Sequence, residues 1–318
     1  MKTNLLILFF GFICFSSIAQ TPVRSFNGHQ GTIKAVAFSA DGKLIASGGE
    51  DKIINIWETE TGTLVRSIKG LVGMVFSLAF SPDGKYLVSG GGTDSPDFLI
   101  ELKQWSVADG SMVKKLDSHT QRVMSVAYSA DGKYILSASD DRNIKVWDAA
   151  NGQIVRTFTG HTGEVHCITA SSDGRFIISG SADKSIRIWD IANNQCTKTL
   201  TGHTSFVKGV SISKDGVNIA SGSGDNTAKL WDFNSGKCIT TLTGHTAKIT
   251  GIVAIPDASK FITISNDKNI IIWDRDGKEK SKFSGHTGWI ECIAISNDGK
   301  FFATGSKDKI LKLWEIGQ

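Results

Sequence analysis

Tryptophan recurs in this chain at a nearly constant interval. Seven of the eight tryptophans close an apolar segment, and their successive separations are 48, 42, 42, 42, 42 and 41 residues. A Gly-His or Ser-His pair opens six of the seven segments that these tryptophans close. Self-similarity at such a period indicates seven copies of one supersecondary unit. The closing tryptophans are Trp57, Trp105, Trp147, Trp189, Trp231, Trp273 and Trp314.

Residues 160–201 show the layout of one unit. The apolar segments EVHCITA, RFIISGS and IRIWDI are separated by the turns SSDG and ADKS, and ANNQ leads to a more polar fourth segment, CTKTLT. Four short β-segments joined by Gly, Asn and Asp turns predict an antiparallel meander. The first turn contains Asp-Gly in every unit except the sixth, which has Asp257-Ala258. Because alanine tolerates a positive φ less well than glycine, we expect that turn to be of another type.

The four strands, the Gly-His start, the Trp-Asp end and the period near 42 residues resemble the WD-repeat β-propeller family. The resemblance covers all of the chain that follows Ala19. It implies an all-β fold, a single seven-bladed propeller of four-stranded antiparallel blades over residues 20–318.

The two ends of the chain predict how the ring closes. Only EIGQ follows Trp314, so the seventh unit lacks a fourth strand. The segment PVRSFNG before His29 matches IVRTFTG before His161 almost residue for residue. We therefore expect residues 22–27 to supply the outer strand of the last blade, as in the resembling family, which removes the open edges of the ring.

The segment 1–19 has the pattern of a secretory signal peptide. Lys2 precedes an apolar run from Leu5 to Phe15, and a small-residue site ends at Ala19. This run is too short for a helix that stays in a bilayer, so we expect cleavage that leaves Gln20 first. The alternative is an uncleaved anchor. The leader predicts a bacterial protein that is periplasmic or secreted, with no stable membrane insertion of the mature chain.

The remaining composition excludes several functions. The formal net charge of +4 falls to +3 without Lys2, and no basic run is present, so we expect no nucleic acid partner. Neither a nucleotide-binding loop nor metal-ligand cysteine spacing occurs, and we expect no cofactor and no metal. Four cysteines follow the leader. Two occupy equivalent positions in units across the ring, and two begin the outer strands of neighbouring units, too far apart to pair, so we predict four free thiols. They are Cys167, Cys196, Cys238 and Cys292.

A His, Ser or Thr, Asp and Trp set recurs in six units. It suggests a catalytic Ser-His-Asp site, but an active site is normally built once, and six copies argue for a structural role. We expect a buried chain of hydrogen bonds in which Asp accepts from His, His meets the hydroxyl, and the hydroxyl meets the indole N–H. These tetrads are His29, Ser47, Asp51, Trp57; His119, Ser137, Asp141, Trp147; His161, Ser179, Asp183, Trp189; His203, Ser221, Asp225, Trp231; His245, Thr263, Asp267, Trp273; and His286, Thr304, Asp308, Trp314.

The second unit departs from this pattern. Leu71 stands where His is expected, and no Asp lies six residues before Trp105. The longer segment GGGTDSPDFLIE, residues 90–101, joins its second and third strands and explains why the separation from Trp57 to Trp105 is the largest. The segment is either tolerated drift in one blade or a loop that binds a ligand. Asp94 and Asp97 fall short of a calcium motif.

Two positions vary from unit to unit and predict a recognition face. The residue four after the repeat histidine is always Val or Ile, which predicts core, whereas the residues three and five after it are not uniform at all. In the resembling family these variable positions lie beside the central channel, at the narrower end of the ring. Trp289, the eighth tryptophan, is either an interaction hot spot there or packs on a neighbouring loop. The candidate partner-binding residues are Trp289, Phe206, Met74, Phe76, Arg122, Met124, His166, Lys208 and Lys248.

Two classes of function remain. The first is a non-enzymatic protein–protein interaction scaffold, an exported and rigid propeller that presents a partner-binding face. The alternative is a small-ligand-binding or hydrolytic propeller that uses the mouth of the channel, for which a unique polar cluster would be required. The scattered candidates for such a cluster are Arg122, Glu164, His166, Lys208 and Glu291.

Overall fold

Alternation of apolar and polar residues, interrupted by frequent short turns, gives seven repeated sheets. The computed structural model describes residues 21–93 and 99–317. In these ranges 28 strands form seven four-stranded antiparallel sheets, and no helix is present. The predicted all-β, seven-bladed fold is confirmed. The predicted signal peptide, residues 1–19, lies outside the described residues.

The strands follow one another in chain order, four to a blade. Blade one contains β2 (Ile33–Phe38), β3 (Leu44–Gly49), β4 (Ile54–Glu58) and β5 (Leu64–Ile68); blade two β6 (Met74–Phe80), β7 (Tyr86–Gly92), β8 (Ile100–Ser106) and β9 (Met112–Lys115); blade three β10 (Val123–Tyr128), β11 (Tyr134–Ser139), β12 (Ile144–Asp148) and β13 (Ile154–Phe158); blade four β14 (Val165–Ala170), β15 (Phe176–Ser181), β16 (Ile186–Asp190) and β17 (Gln195–Leu200). Blade five contains β18 (Val207–Ile212), β19 (Asn218–Ser223), β20 (Ala228–Asp232) and β21 (Cys238–Leu242); blade six β22 (Ile249–Ala254), β23 (Lys260–Ser265), β24 (Asn269–Asp274) and β25 (Glu279–Ser284); blade seven β26 (Ile290–Ile295), β27 (Phe301–Ser306), β28 (Ile310–Glu315) and β1 (Arg24–Asn27).

The first strands of the blades surround the central channel. Each first strand packs against the first strand of the next blade, and β26 packs against β2, so the ring is closed. The predicted core position, four residues after the repeat histidine, is at most 1% exposed in all seven blades. The hydrophobic clusters each join residues of two neighbouring blades, so the core lies between blades.

The seventh blade is completed by the beginning of the chain, as the sequence predicts. β1 pairs with β28 in antiparallel register from Arg24 opposite Leu313 to Asn27 opposite Ile310. The amide of Val23 extends this pairing by donating to the Leu313 carbonyl at 2.8 Å. Phe26 fills the seam between blades seven and one, where its ring meets the Trp57 ring edge-on at 5.6 Å between centroids.

The prediction for the Asp257-Ala258 turn is wrong. Ala258 has φ 60°, in the left-handed region that the glycines of the other six first turns occupy at 70° to 72°. The Ala258 amide donates to the Ile255 carbonyl at 2.8 Å, and the Arg275 guanidinium donates to the Ala258 carbonyl. These bonds, together with burial of the methyl group, offset a left-handed cost of about 1–2 kcal/mol.

The four cysteines of the described residues are free thiols, as predicted. Cys167 and Cys292 lie near the channel, where burial raises the pKa of Cys167 to about 12 and raises that of Cys292 as well. Both thiols are therefore protonated at neutral pH. Within the ranges that the structure describes, no helix has the length and apolar character needed to cross a membrane.

Candidate interaction face and channel mouth

The repeated tetrads form one hydrogen-bond chain per blade in six of the blades. His Nδ1 lies 2.7–2.8 Å from the Asp carboxylate, and His Nε2 lies 2.7–2.8 Å from the Ser or Thr hydroxyl. The indole N–H donates to the same hydroxyl oxygen at 2.8 Å. With the proton on Nδ1, every group has a partner: Asp accepts from His, the hydroxyl donates to Nε2, and the indole donates to the hydroxyl.

Burial places these tetrads beyond the reach of a substrate. The six histidine side chains are at most 1% exposed. The Asp carboxylate also accepts the backbone N–H of the residue after the histidine, which fixes the loop to the following turn. The tetrads thus tie the third strand, the second strand and the leading loop of each blade together.

Acid is expected to unfold the protein through the tetrads. Burial by itself would raise the pKa of the tetrad carboxyl groups, but hydrogen bonds from His, Thr and backbone N–H groups outweigh it and lower the pKa of Asp225, Asp267 and Asp308 to about 2. The unfolded carboxyl binds its proton near pH 4, about two units higher. Their stabilising contribution is therefore complete above about pH 4 and is lost as the pH falls towards about 2.

The measurement is the urea midpoint at a series of pH values. We expect a gradual fall of the midpoint below about pH 6.5, because burial lowers the pKa of His166 and His203 in the folded state while the unfolded histidines protonate, and a steeper fall below about 4. The variant Asp225→Asn removes one of the titrating groups and should flatten that fall. An acid limb of unchanged steepness in this variant would contradict the assignment.

Blade two keeps half of the tetrad and replaces the other half. The Trp105 indole donates to the Ser89 hydroxyl at 2.8 Å, as in the other blades, and Leu71 is buried. The Glu101 carboxylate accepts the backbone N–H groups of Val72 and Gly73 at 2.9 and 2.7 Å. Glu101 therefore does for this loop what Asp does elsewhere. Blade two thus lacks the His–Asp pair, as the sequence indicates, and retains the bond between the indole and the hydroxyl.

The connection between the second and third strands of blade two is shorter than the predicted segment, residues 90–101. β7 extends to Gly92 and β8 begins at Ile100, so the connection contains residues 93–99, and Asp94 and Asp97 lie outside the described residues. The sequence contains a signal for this role, since Glu101 places a carboxylate four residues before Trp105. Its target, the two amides of a loop much earlier in the chain, is set by the fold.

The position five after the repeat histidine is a β-bulge in every blade. The register of the first two strands shifts by one residue at this position, for example between Val165 and Cys167. A bulged residue has no partner in the ladder and its side chain is re-aimed. All seven bulged side chains line one cavity of about 230 Å³ in the channel. They are Lys34, Phe76, Met124, His166, Lys208, Thr250 and Glu291.

The position three after the repeat histidine lies further out, on the loop that leads into the first strand in six blades and at the start of β6 in blade two. Its backbone carbonyl accepts an N–H from the turn between the second and third strands, as in Lys307 N–H to Trp289 O at 2.8 Å. Thr32 is buried there, whereas Trp289 is 43% exposed. Lys248 is also exposed, and Met74, Arg122 and Phe206 are partly buried. The variable positions thus form two tiers, a rim and a channel lining.

Several candidate residues contact one another within these tiers. The Arg122 guanidinium lies 5.6 Å from the centre of the Phe76 ring, and its Nε donates to Asp140 at 2.7 Å. His166 meets the Phe206 ring edge-on at 5.9 Å between centroids. Burial, aided by the nearby Lys208 and Arg122 charges, lowers the pKa of His166 to about 3, so this imidazole is neutral at physiological pH.

Charge in the channel mouth is only partly compensated. Lys34 Nζ lies 3.3 Å from Glu291 and 3.5 Å from Glu50, which neutralises those groups. No carboxylate in the described parts of the chain lies within ion-pair distance of Lys208, and burial lowers the pKa of its ammonium. Residues 21–93 and 99–317 also contain no cluster of three or more His, Cys, Asp or Glu side chains that could hold a metal ion.

Comparison with known proteins identifies the same repeat. The family described as WD domain, G-beta repeat matches residues 20–58, 62–95, 110–148, 152–190, 194–232, 236–274 and 277–315. Protein HIR1 of Kluyveromyces lactis is 46% identical over 46 residues, 14% of this chain and 5% of that protein. Vegetative incompatibility protein HET-E-1 of Podospora anserina is 50% identical over 40 residues, 13% of this chain and 3% of that protein. The matches therefore cover about one repeat and a small share of these longer relatives.

Proposed function

Because this chain belongs to the WD40 repeat family, we propose that it is a non-enzymatic scaffold that binds a protein partner through the rim and channel mouth. One observation carries the proposal. The seven repeat tryptophans are at most 5% exposed, whereas Trp289 is 43% exposed on the rim. Exposed tryptophan is enriched at interaction hot spots, where a partner can bury it.

A non-enzymatic role is favoured by the placement of the reactive groups. The repeated His and Ser or Thr side chains are committed to buried hydrogen bonds in six copies. The thiol of Cys167, which lines the channel, is protonated at neutral pH because burial raises its pKa. Neither group is an activated nucleophile in this arrangement.

Export is part of the proposal and depends on the leader sequence. A cationic start, a short apolar run and a small-residue site favour secretion to the periplasm or the medium of a bacterium. Intact-mass analysis of the protein from its native host is expected to give a chain that begins with Gln20. A mass that retains Met1 would refute cleavage.

The binding face is tested by affinity capture from envelope and culture-fluid extracts. The bait is the mature chain, run beside Trp289→Ala and beside Ile239→Ala, which removes a similarly exposed apolar side chain from an outer strand. We expect a partner that the parent and Ile239→Ala retain and that Trp289→Ala loses, with all three folded by circular dichroism. Retention of the same partner by Trp289→Ala would place the binding face elsewhere.

The small-ligand function has one observation in its favour, the cavity of about 230 Å³ lined by the seven bulged side chains. A thermal-shift screen against metabolites tests it. Stabilisation by one compound that is abolished in His166→Ala, without capture of any macromolecule, would replace the scaffold by a ligand-binding propeller.

A further inference from the structure

The charge without a partner on the loops of blades six and seven beside Trp289 is positive. Four exposed lysines lie on the leading loop and the second turns of blades six and seven, and we call them the basic rim: Lys248, Lys268, Lys307 and Lys309. The acidic residues of the same segments are Asp267 and Asp308, whose carboxylates are occupied by His245 and His286. The basic rim is therefore not neutralised by its own loops.

Two of these lysines lie against the exposed tryptophan. The Lys307 ammonium is 4.5 Å and the Lys248 ammonium 5.5 Å from the centre of the Trp289 ring. Neither has a carboxylate within ion-pair distance among residues 21–93 and 99–317. Cation–π contact holds both ammonium groups beside one ring. A group that pairs with both must carry negative charge, and an apolar group can cover the remaining face of the indole.

The basic rim continues into the channel mouth. Lys248 lines a smaller pocket of about 180 Å³ together with Phe206, His166, Lys208 and Glu291. Glu291 is already paired with Lys34. Lys208, like Lys248, has no carboxylate within ion-pair distance among the described residues, and Lys208 is partly desolvated. A partly buried ammonium gains more from an incoming carboxylate than an exposed one does.

On the opposite face of the propeller, the charges of the matching turns are paired with one another. The first turn of every blade lies there because the strands are antiparallel, and each contains an aspartate. These aspartates are Asp41, Asp83, Asp131, Asp173, Asp215, Asp257 and Asp298. Lys43, Lys85 and Lys133 lie 3.3–3.7 Å from the aspartates of their own turns, whereas Lys248 and Lys307 on the Trp289 face have no carboxylate that close among the described residues. An acidic partner is thus favoured at the Trp289 face, where these ammonium groups have no carboxylate partner of their own.

From this arrangement we propose that the basic rim and the Lys208 pocket bind an acidic peptide segment of the partner protein. One carboxylate enters the channel mouth at Lys208, others pair with Lys248 and Lys307, and an apolar side chain covers Trp289. The inference rests on the proposed function, since it names the chemistry of the partner for the same face. It also predicts that binding weakens as salt is raised, because the rim charges are exposed.

Fluorescence anisotropy with defined probes tests the inference. The probes are a labelled Asp/Glu-rich peptide with two leucines, its Asn/Gln counterpart, and an oligouridylate of equal length. We expect the acidic peptide to bind at least about tenfold more tightly than the amide peptide and to lose about tenfold on Lys208→Met, which removes charge but keeps the aliphatic stem. Equal binding of the two peptides, or tighter binding of the RNA, would overturn the proposal.

A matched pair of double variants locates the site. Lys248→Gln with Lys307→Gln is expected to weaken the acidic peptide, whereas Lys43→Gln with Lys85→Gln, two exposed lysines of the opposite face, leaves it unchanged. Equal weakening by both pairs would show a non-specific charge effect and refute the site. If the acidic peptide does not bind while capture of a partner from native extracts still depends on Trp289, the scaffold function stands and the partner is not acidic. If both fail, the proposed face is wrong.

Discussion

Replacing Phe26 by alanine is expected to lower the free energy of unfolding by about 3–4 kcal/mol, because a buried phenylalanine loses its transfer energy and leaves a cavity. Phe26 is 3% exposed and belongs to the cluster that joins blades seven and one, with Trp57, Leu311 and Leu313. It is also the inward residue of a strand only four residues long. The seam that closes the ring therefore depends on one side chain more than any interior strand does.

Two controls separate closure from simple loss of packing. Ser25→Ala changes an exposed residue of the same strand and should alter stability by less than about 0.5 kcal/mol. Phe158→Ala removes an equally buried phenylalanine that packs on Trp189 within the ring. Urea unfolding should give similar losses for Phe26→Ala and Phe158→Ala, but hydrogen exchange of the β28 amides should accelerate only in the former. A loss below about 1 kcal/mol with unchanged exchange would refute the role of Phe26 in closure.

The second large effect is expected for Ser179→Ala in the tetrad of blade four. The hydroxyl lies 2.7 Å from His161 Nε2 and 2.8 Å from the Trp189 indole nitrogen, and all three groups are buried. Its removal leaves a donor and an acceptor without partners. Because each orphaned buried group costs about 1–3 kcal/mol, we expect a loss of about 2–4 kcal/mol.

Blade two supplies a matched control within the same molecule. Ser89 is equally buried and accepts from the Trp105 indole, but Leu71 occupies the histidine position, so no imidazole is orphaned there. Ser89→Ala should therefore cost about half as much as Ser179→Ala, roughly 1–2 kcal/mol. Ser179→Thr keeps the hydroxyl, as Thr263 does in blade six, and should cost less than about 1 kcal/mol. Equal urea midpoints for the two alanine variants would contradict a two-sided role of the tetrad hydroxyl.

Much of the fold could be predicted from the residues because the repeat is local. The strands of a blade are joined by turns of a few residues, and a meander of this kind specifies its own register through alternation and turn type. The same holds for the tetrads, whose members all lie within one repeat, as His161 and Trp189 do. The match between PVRSFNG and IVRTFTG likewise predicted the strand that closes the ring, since equivalent sequences form equivalent strands.

The candidate site could be predicted only in outline. The variability of two positions was visible in the sequence, but the reason for it, a β-bulge that releases Lys208 and its equivalents from the ladder into the channel, was not. The role of Glu101 was likewise not predicted. This residue lies at a different place in the repeat from the tetrad Asp, yet its carboxylate accepts from amides of the corresponding loop. Ala258 shows the limit of a local rule, since contacts from Arg275 outweigh its conformational preference.

The sequence by itself determined the number of blades, the order of their strands, the core positions and the buried tetrads. Each of these follows from propensity and hydrogen bonding within one repeat of about 42 residues. Only the tertiary structure decided which side chains meet at the channel and which charges are neutralised there. Lys34 and Glu291, for example, are partners because ring closure brings the first and last blades together. Such contacts join residues that are distant in the chain, and no local pattern encodes them.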